Sequence, residues 1–241
     1  MAQDKKKRKS SPEQRPSARE QLEATLETLP DHTRVVLVAN LKGGTGKTTL
    51  STHLAAWMAN TGQVTALADL DPQRSALKWL GRRDITQPPI FAIDACQGEA
   101  IPQEAEWLIL DGPAGISDAV LKPAVDAADV VLIPVLPSVF DEGGTARLMT
   151  ALNGLKRFRK GKVKVGLVAN RIKARSRAAR RIEAWMALQS VPVAGQLRDS
   201  SLYADGAMNG SALFDLAPSR IRTHMADWAS IVDFVQEPRD D

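Results

Sequence analysis

Short apolar runs rich in β-branched residues recur along the chain: RVVLVA (34–39), VTALAD (64–69), WLILD (107–111), DVVLIPV (129–135), KVGLVAN (164–170) and a weaker VPVAG (191–195). They are nearly continuous rather than alternating in hydrophobicity, the pattern of parallel strands covered on both faces. Between them lie segments at 47–60, 73–81, 117–128, 142–158 and 175–189, each long enough for a crossover helix. Near the end, Ile221, Met225, Trp228, Val232 and Val235 fall on one helical face over 219–235. Strands and helices alternating in this way predict an α/β fold: a single doubly wound, mostly parallel sheet with helices on both faces.

The beginning of the chain reads differently. Residues 1–17 contain no large apolar residue after Met1, too little hydrophobic surface to offset the entropy of ordering. From Ser17, Leu22, Leu26 and Leu29 recur at helical spacing and stop before Pro30, which predicts a short helix packed on the body or on a partner. We therefore divide the chain into a basic tail with a short helix (1–30) and a main domain (31–241).

Charge sharpens this picture. The net charge of +4 arises from 32 basic and 28 acidic residues, but they are segregated. Residues 1–20 hold seven bases and three acids, and the stretch from 143 to 182 holds 13 bases and no acid. Within it, Lys173, Arg175, Arg177, Arg180 and Arg181 surround a predicted helix whose buried stripe is expected to be Ala178, Ile182 and Trp185. Such segregation points to an anionic partner, and nucleic acid is the expected one. With no helix-turn-helix, zinc-finger or RNA-binding aromatic motif, binding is expected to follow the phosphate backbone without reading sequence. The single cysteine, Cys96, excludes a disulfide framework or a four-cysteine metal site within one chain, and it shows no catalytic spacing with His32, His53 or His224. No apolar run approaches the roughly 20 residues of a membrane helix, so a cytoplasmic protein without a membrane partner is expected.

The most specific chemistry lies in ANLKGGTGKTTLS, residues 39–51, between the first strand and the first helix. Gly43, Gly44 and Gly46, with Thr45 between them, let the backbone curl so that successive N–H groups form an anion nest, and the helix start adds its positive end. Lys47 is placed to sit between β- and γ-phosphates, the Thr48 hydroxyl to ligate Mg²⁺, and Thr49 to meet the α-phosphate. ATP and Mg²⁺ are thus the expected ligands, on a P-loop NTPase-type sheet.

The same loop departs from the usual P-loop, with Leu41 where a glycine is common and a second lysine, Lys42, after it. KGGTGKTT resembles the deviant Walker A loop of the ParA/MinD partitioning ATPases. The resemblance extends through DLDPQRSA (69–76), WLILDGPAG (107–115), VLIPVLPSVFDEGG (131–144) and GLVANR (166–171), covering about 34–235. It implies that Lys42 reaches the ATP of a second protomer in a sandwich homodimer, and that Asp71 orients the attacking water while Asp69 supports its loop. By the same resemblance Asp111 holds Mg²⁺ through a water, Asn170 reads the adenine edge with Arg171 beside the ring, and QLRDSSLYADGAMNG (196–210) supplies Arg198 to DNA. Lys42, Lys47 and Asp71 are the expected catalytic set. No arginine finger is evident in cis, so slow basal ATP hydrolysis and stimulation by a ParB-like or other cargo adaptor are expected. The resemblance therefore implies a nucleoid-associated ATPase that positions a plasmid, chromosome or protein cargo. The alternatives are a MipZ-like regulator of a division polymer and a metabolic P-loop ligase of the dethiobiotin-synthetase type. A MinD-like membrane helix is not expected, because the chain ends in the acidic QEPRDD.

Overall fold

The structure is a computed structural model that describes residues 16–238; the expected disordered segment lies, up to residue 15, outside the described residues. Seven strands, β1 (Arg34–Val38), β2 (Thr65–Asp69), β3 (Phe91–Asp94), β4 (Trp107–Asp111), β5 (Val130–Val135), β6 (Lys164–Ile172) and β7 (Val193–Arg198), form one sheet. Their order is β3-β2-β4-β1-β5-β6-β7 and every neighbouring pair is parallel. β2 and β3 lie to one side of β1 and β5, β6 and β7 to the other, so the carboxyl end of β1 sits where successive connections diverge and a ligand crevice is expected.

Nine helices accompany the strands among the described residues: α1 (Ala18–Leu26), α2 (Lys47–Asn60), α3 (Ser75–Leu80), α4 (Asp118–Ala127), α5 (Val139–Gly154), α6 (Lys156–Arg159), α7 (Arg177–Met186), α8 (Ser201–Asn209) and α9 (Pro218–Gln236). The continuous hydrophobicity of the strands now has a geometric cause. Successive side chains point to opposite faces, so Val35, Leu37 and Ala39 join Leu121, Leu148 and Ile182 of α4, α5 and α7 on one face. Val36 and Val38 join Leu54 and Met58 of α2, and Trp228 and Val235 of α9, on the other. Both faces are covered, and neither tolerates a polar residue without a partner.

α1 packs on the body. Ser17 caps it, accepting from the Glu20 N–H, and the Glu20 carboxylate accepts from the Ser17 N–H in return. Leu22 is buried in the core while Leu26 and Leu29 pack against it, so the three leucines are spent on this chain's own core.

The structure differs from the expected elements at five places. β3, a four-residue strand at the sheet edge, and α8, a short helix with Gly206 in its middle, were not foreseen, because neither carries a long periodic signal. The expected helix over 142–158 is two helices, since Leu155 adopts an extended conformation (φ −85°, ψ 131°) between α5 and α6. The weak strand after residue 191 runs on to Arg198. On α7 the buried residues are Ala179, Ile182 and Met186 rather than Ala178, Ile182 and Trp185: the helix is rolled about its axis so that Trp185 stays half-buried at the rim. Arg177, Arg180 and Arg181 remain exposed as expected.

Candidate nucleotide-binding site

At the carboxyl end of β1 the chain turns through residues 40–46 into α2. Asn40 fixes the turn at its start, donating from Nδ2 to the Pro134 carbonyl (2.8 Å) and to Thr145 Oγ1 (3.1 Å) and accepting the Lys42 N–H (3.2 Å). Gly44 and Gly46 take φ of +78° and +95°, the left-handed region that glycine enters without strain. Gly46 is doubly constrained: a Cβ there would lie 2.1 Å from Asn170 Nδ2. These two left-handed residues curl the loop as it enters α2, which starts at Lys47.

Three side chains converge beneath it. Lys47 is buried and its Nζ donates back across the loop to the Lys42 carbonyl at 3.0 Å. Burial pulls the Lys47 ammonium below its usual range, while the charges of Asp111 and Asp71 oppose that shift. Asp111, at the end of β4, accepts from the Thr48 hydroxyl at 2.7 Å and the Ser51 hydroxyl at 2.9 Å. Complete burial pushes its pKa up to about 7, against those two hydrogen bonds, with the neighbouring charge of Asp69 adding to the rise. Asp69 stands directly beside Asp111 in the β2–β4 register. Gly112 lets the chain leave β4 past β1, since a Cβ there would approach the Val38 carbonyl to 2.8 Å.

The loop after β2 is organised by Asp69. One oxygen accepts the Asp71 N–H (2.9 Å) and the other accepts the N–H groups of Ala76 (2.8 Å) and Leu77 (3.2 Å) at the first turn of α3. Asp71 in turn accepts from the Gln73 N–H (2.9 Å) and, across to the loop after β4, from the Ala114 N–H (3.4 Å). Lys47, Thr48, Asp71, Gly112 and Ala114 share the wall of one cavity of about 330 Å³ with Arg171. Thr49 also lines it, together with Gln73 and Ser75, which the sequence did not single out. Ser51 was missed too, although its position four residues after Lys47 on α2 places it on the same helical face. Lys42 lies half-buried at the start of the loop, against Gly144 of α5.

The resemblance assigns Asn170 to the adenine edge. Asn170 is buried, its Nδ2 donates to the Thr45 carbonyl at 2.8 Å, and its Oδ1 accepts the Arg171 N–H at 2.9 Å. Both ends of the amide therefore hold the loop together in this structure.

The basic surface is only partly available. Arg175, Arg177 and Arg180 are exposed without an ion pair among the described residues. Lys173 lies 3.7 Å from Asp199 and Arg181 lies 3.3 Å from Glu142. Arg198 is held by Asp227 through two bonds of 2.6 and 2.8 Å and donates to the Thr223 carbonyl at 2.9 Å, which ties β7 to α9. Among the described residues, no helix is long and apolar enough to cross a membrane.

A glycine nest opening a helix, a buried lysine beneath it and two strand-end carboxylates beside it define a P-loop nucleotide-binding protein. Residues 36–213 match the model of the CobQ/CobB/MinD/ParA nucleotide binding domain. The chain belongs to that family and carries its nucleotide-binding ATPase domain. Among curated relatives, it is 29% identical over 187 residues to maintenance of carboxysome distribution protein A of Halothiobacillus neapolitanus, covering 74% of this chain and 86% of that one. It is 27% identical over 186 residues to the chromosome-partitioning ATPase Soj of Thermus thermophilus, covering 63% and 74%. In fold it is similar to a Cyanothece McdA variant solved with ATP (TM-score 0.64, 15% identity, 87% of this chain and 99% of that one). It is likewise similar to MinD of Aquifex aeolicus (TM-score 0.63, 20% identity, 86% and 99%).

Proposed function

We propose that this chain is a ParA-like positioning ATPase: it binds ATP as a homodimer, associates with DNA without sequence preference, and distributes a cargo under the control of an adaptor protein. The observation that carries this reading is the convergence of Lys47, Thr48 and Asp71 on one cavity beneath the glycine nest, with Asp111 bonded to Thr48 behind it. The donor set fits Mg²⁺, because Thr48 offers a hydroxyl and Asp111 a carboxylate behind it, hard oxygens that leave most positions to water and phosphate. When bound, that ion neutralises charge on the β- and γ-phosphates.

This chain's residues supply the rest. Gly43, Gly44, Thr45 and Gly46 present N–H groups to the polyphosphate, Lys47 adds a fixed cation, and Thr49 meets the α-phosphate. Lys42 completes the site of a second protomer, so that nucleotide bridges two chains. Asp71 accepts a proton's hydrogen bond from water and aims it; its attachment to both the Gln73 and Ala114 N–H groups makes that aim sensitive to either loop. Lys173, Arg175, Arg177, Arg180 and Arg181 face DNA phosphates, whereas Arg198 would first have to release Asp227. The names of the Halothiobacillus and Thermus relatives, which speak of carboxysome distribution and chromosome partitioning, support cargo positioning as the task.

A gel-shift titration of an arbitrary duplex tests this. Retardation is expected with ATP, and not with ADP or without nucleotide. It should disappear in Lys42→Ala and persist in Asp71→Ala, whose phosphate release should be slower than wild type. Retardation that needs no ATP and survives Lys42→Ala would overturn the mechanism. ATP turnover without any DNA association would favour the metabolic ligase reading instead.

A further inference from the structure

The β6–β7 register shifts once between Leu167 (opposite Val193) and Val168 (opposite Gly195), and a second time after Ala169 opposite Gln196, where pairing resumes with Ile172 opposite Arg198. Three steps on β6 therefore face two on β7, and the extra residue makes a bulge at Asn170 and Arg171. Arg171 takes φ of +54° there, one of three non-glycine residues with positive φ among those described. In a regular strand Asn170 and Arg171 would point to opposite faces of the sheet. The bulge instead brings both to the glycine loop: Asn170 bonds to the Thr45 carbonyl, and Arg171 joins the wall of the cavity that holds Lys47, Thr48 and Asp71. A backbone conformation this unfavourable persists where the surroundings over-determine it, and such places cluster at ligand sites.

The charge around Arg171 is equally specific. Lys173, Arg181 and Arg198 each have a carboxylate within 4 Å, but Arg171 has no ion-pair partner among the described residues. Its guanidinium is permanently charged and presents a planar fork of donors that matches phosphate oxygens. It shares its cavity with the amino end of α2, where a polyphosphate is held by N–H groups.

We infer that Arg171 is a phosphate-binding residue acting within its own chain, whose guanidinium takes the nucleotide's polyphosphate rather than lying beside the base. This rests on the ATP binding proposed above. Asn170 is then a positioning residue: by bonding to Thr45 and to the Arg171 N–H it locks the bulge against the nest, so the loop and the arginine move together.

Calorimetric titration of ATP, ADP, AMP and GTP into wild type, Arg171→Ala and Arg171→Lys tests the assignment. Arg171→Ala should weaken ATP about tenfold or more, the loss of a charge-assisted pair, with a clearly smaller effect on AMP. Arg171→Lys should recover part of the loss, and the ATP-to-GTP preference should be unchanged in all three. Equal losses for ATP, ADP and AMP, or an altered ATP-to-GTP preference, would place Arg171 at the base and overturn the inference. Unchanged ATP affinity in Arg171→Ala would overturn it as well. If the alanine variant fails to fold, Arg171→Lys carries the same comparison. Wild type that binds no ATP would overturn the proposed function together with this role, whereas normal wild-type binding with unaltered variant ratios overturns the role of Arg171 alone.

Discussion

Removing the Asp69 carboxylate should disable the loop that carries Asp71 while leaving the glycine nest intact. Asp69 accepts three backbone N–H groups, from Asp71, Ala76 and Leu77. Two of them are orphan donors at the first turn of α3, whose preceding residue, Arg74, provides no side-chain cap. In Asp69→Ala, the Ala76 N–H is left buried and unpaired, and those of Asp71 and Leu77 are partly shielded from water. At about 1 kcal/mol for each stranded donor, the loss is about 2–3 kcal/mol. The desolvation of the buried carboxylate, which raises the pKa of Asp69, offsets part of it. For a chain of this size about 2–4 °C in Tm accompanies each kcal/mol, so circular dichroism should show a fall of about 5–10 °C. ATP affinity by calorimetry should change little, because Lys47, Thr48 and Asp111 are not touched, while phosphate release should fall well below wild type as Asp71 loses its bracing. Asp69→Asn retains one acceptor oxygen and should lie between the two. A Tm within about 2 °C of wild type, or unchanged phosphate release at normal ATP affinity, would refute the bracing role.

Two further outcomes follow from buried side chains that do not line the cavity beside Lys47. Arg83 and Asp215 form a nearly inaccessible bidentate pair (2.7 and 2.9 Å), with Asp215 also accepting from Asn60 and the Ala212 N–H; Arg83→Ala strands the carboxylate and should cost about 3–5 kcal/mol, read as a shift of the urea midpoint at unchanged slope. His53 is buried with its Nδ1 against the Thr49 carbonyl, and burial lowers its pKa to about 4, with Asp215 opposing and Arg83 assisting the shift. The unfolded chain then binds the proton first, so this contribution to stability is complete above about pH 6.5 and is lost as pH falls toward 4, by about 3 kcal/mol in all. Wild type and His53→Phe should therefore diverge in the pH dependence of Tm between those values, and parallel curves would refute it.

Much of the molecule was legible because its chemistry is contiguous. Gly43 to Thr49 sit side by side in the chain, and a strand before them and a helix after them suffice to make an anion nest whatever else the chain does. The β-branched runs announced a sheet buried on both faces because covered strands leave no room for polar alternation. Leu22, Leu26 and Leu29 announced a helix, which ends at Leu26, although only packing decided that Leu22 belongs to this core rather than to a partner.

Everything that depends on distant residues meeting was decided by the fold. Asp111 and Thr48, 63 positions apart, meet because β4 lies next to β1, in a register that also sets Asp69 beside Asp111. Which arginines keep a free charge was not readable from composition: Arg198 and Arg181 look alike in sequence to Arg177 and Arg180, but Asp227 and Glu142 arrive from other helices to pair with them. The short edge strand β3 and the glycine-bearing α8 exist through tertiary contacts, since neither has the length or periodicity to declare itself. The bulge at Asn170 and Arg171 was equally invisible, because a single extra residue shows only when a partner strand is there to be out of step with it. Sequence alone determined the groups that can bind phosphate; the tertiary structure decided which of them share one cavity, because apposition across a sheet is a property of strand order and not of neighbouring residues.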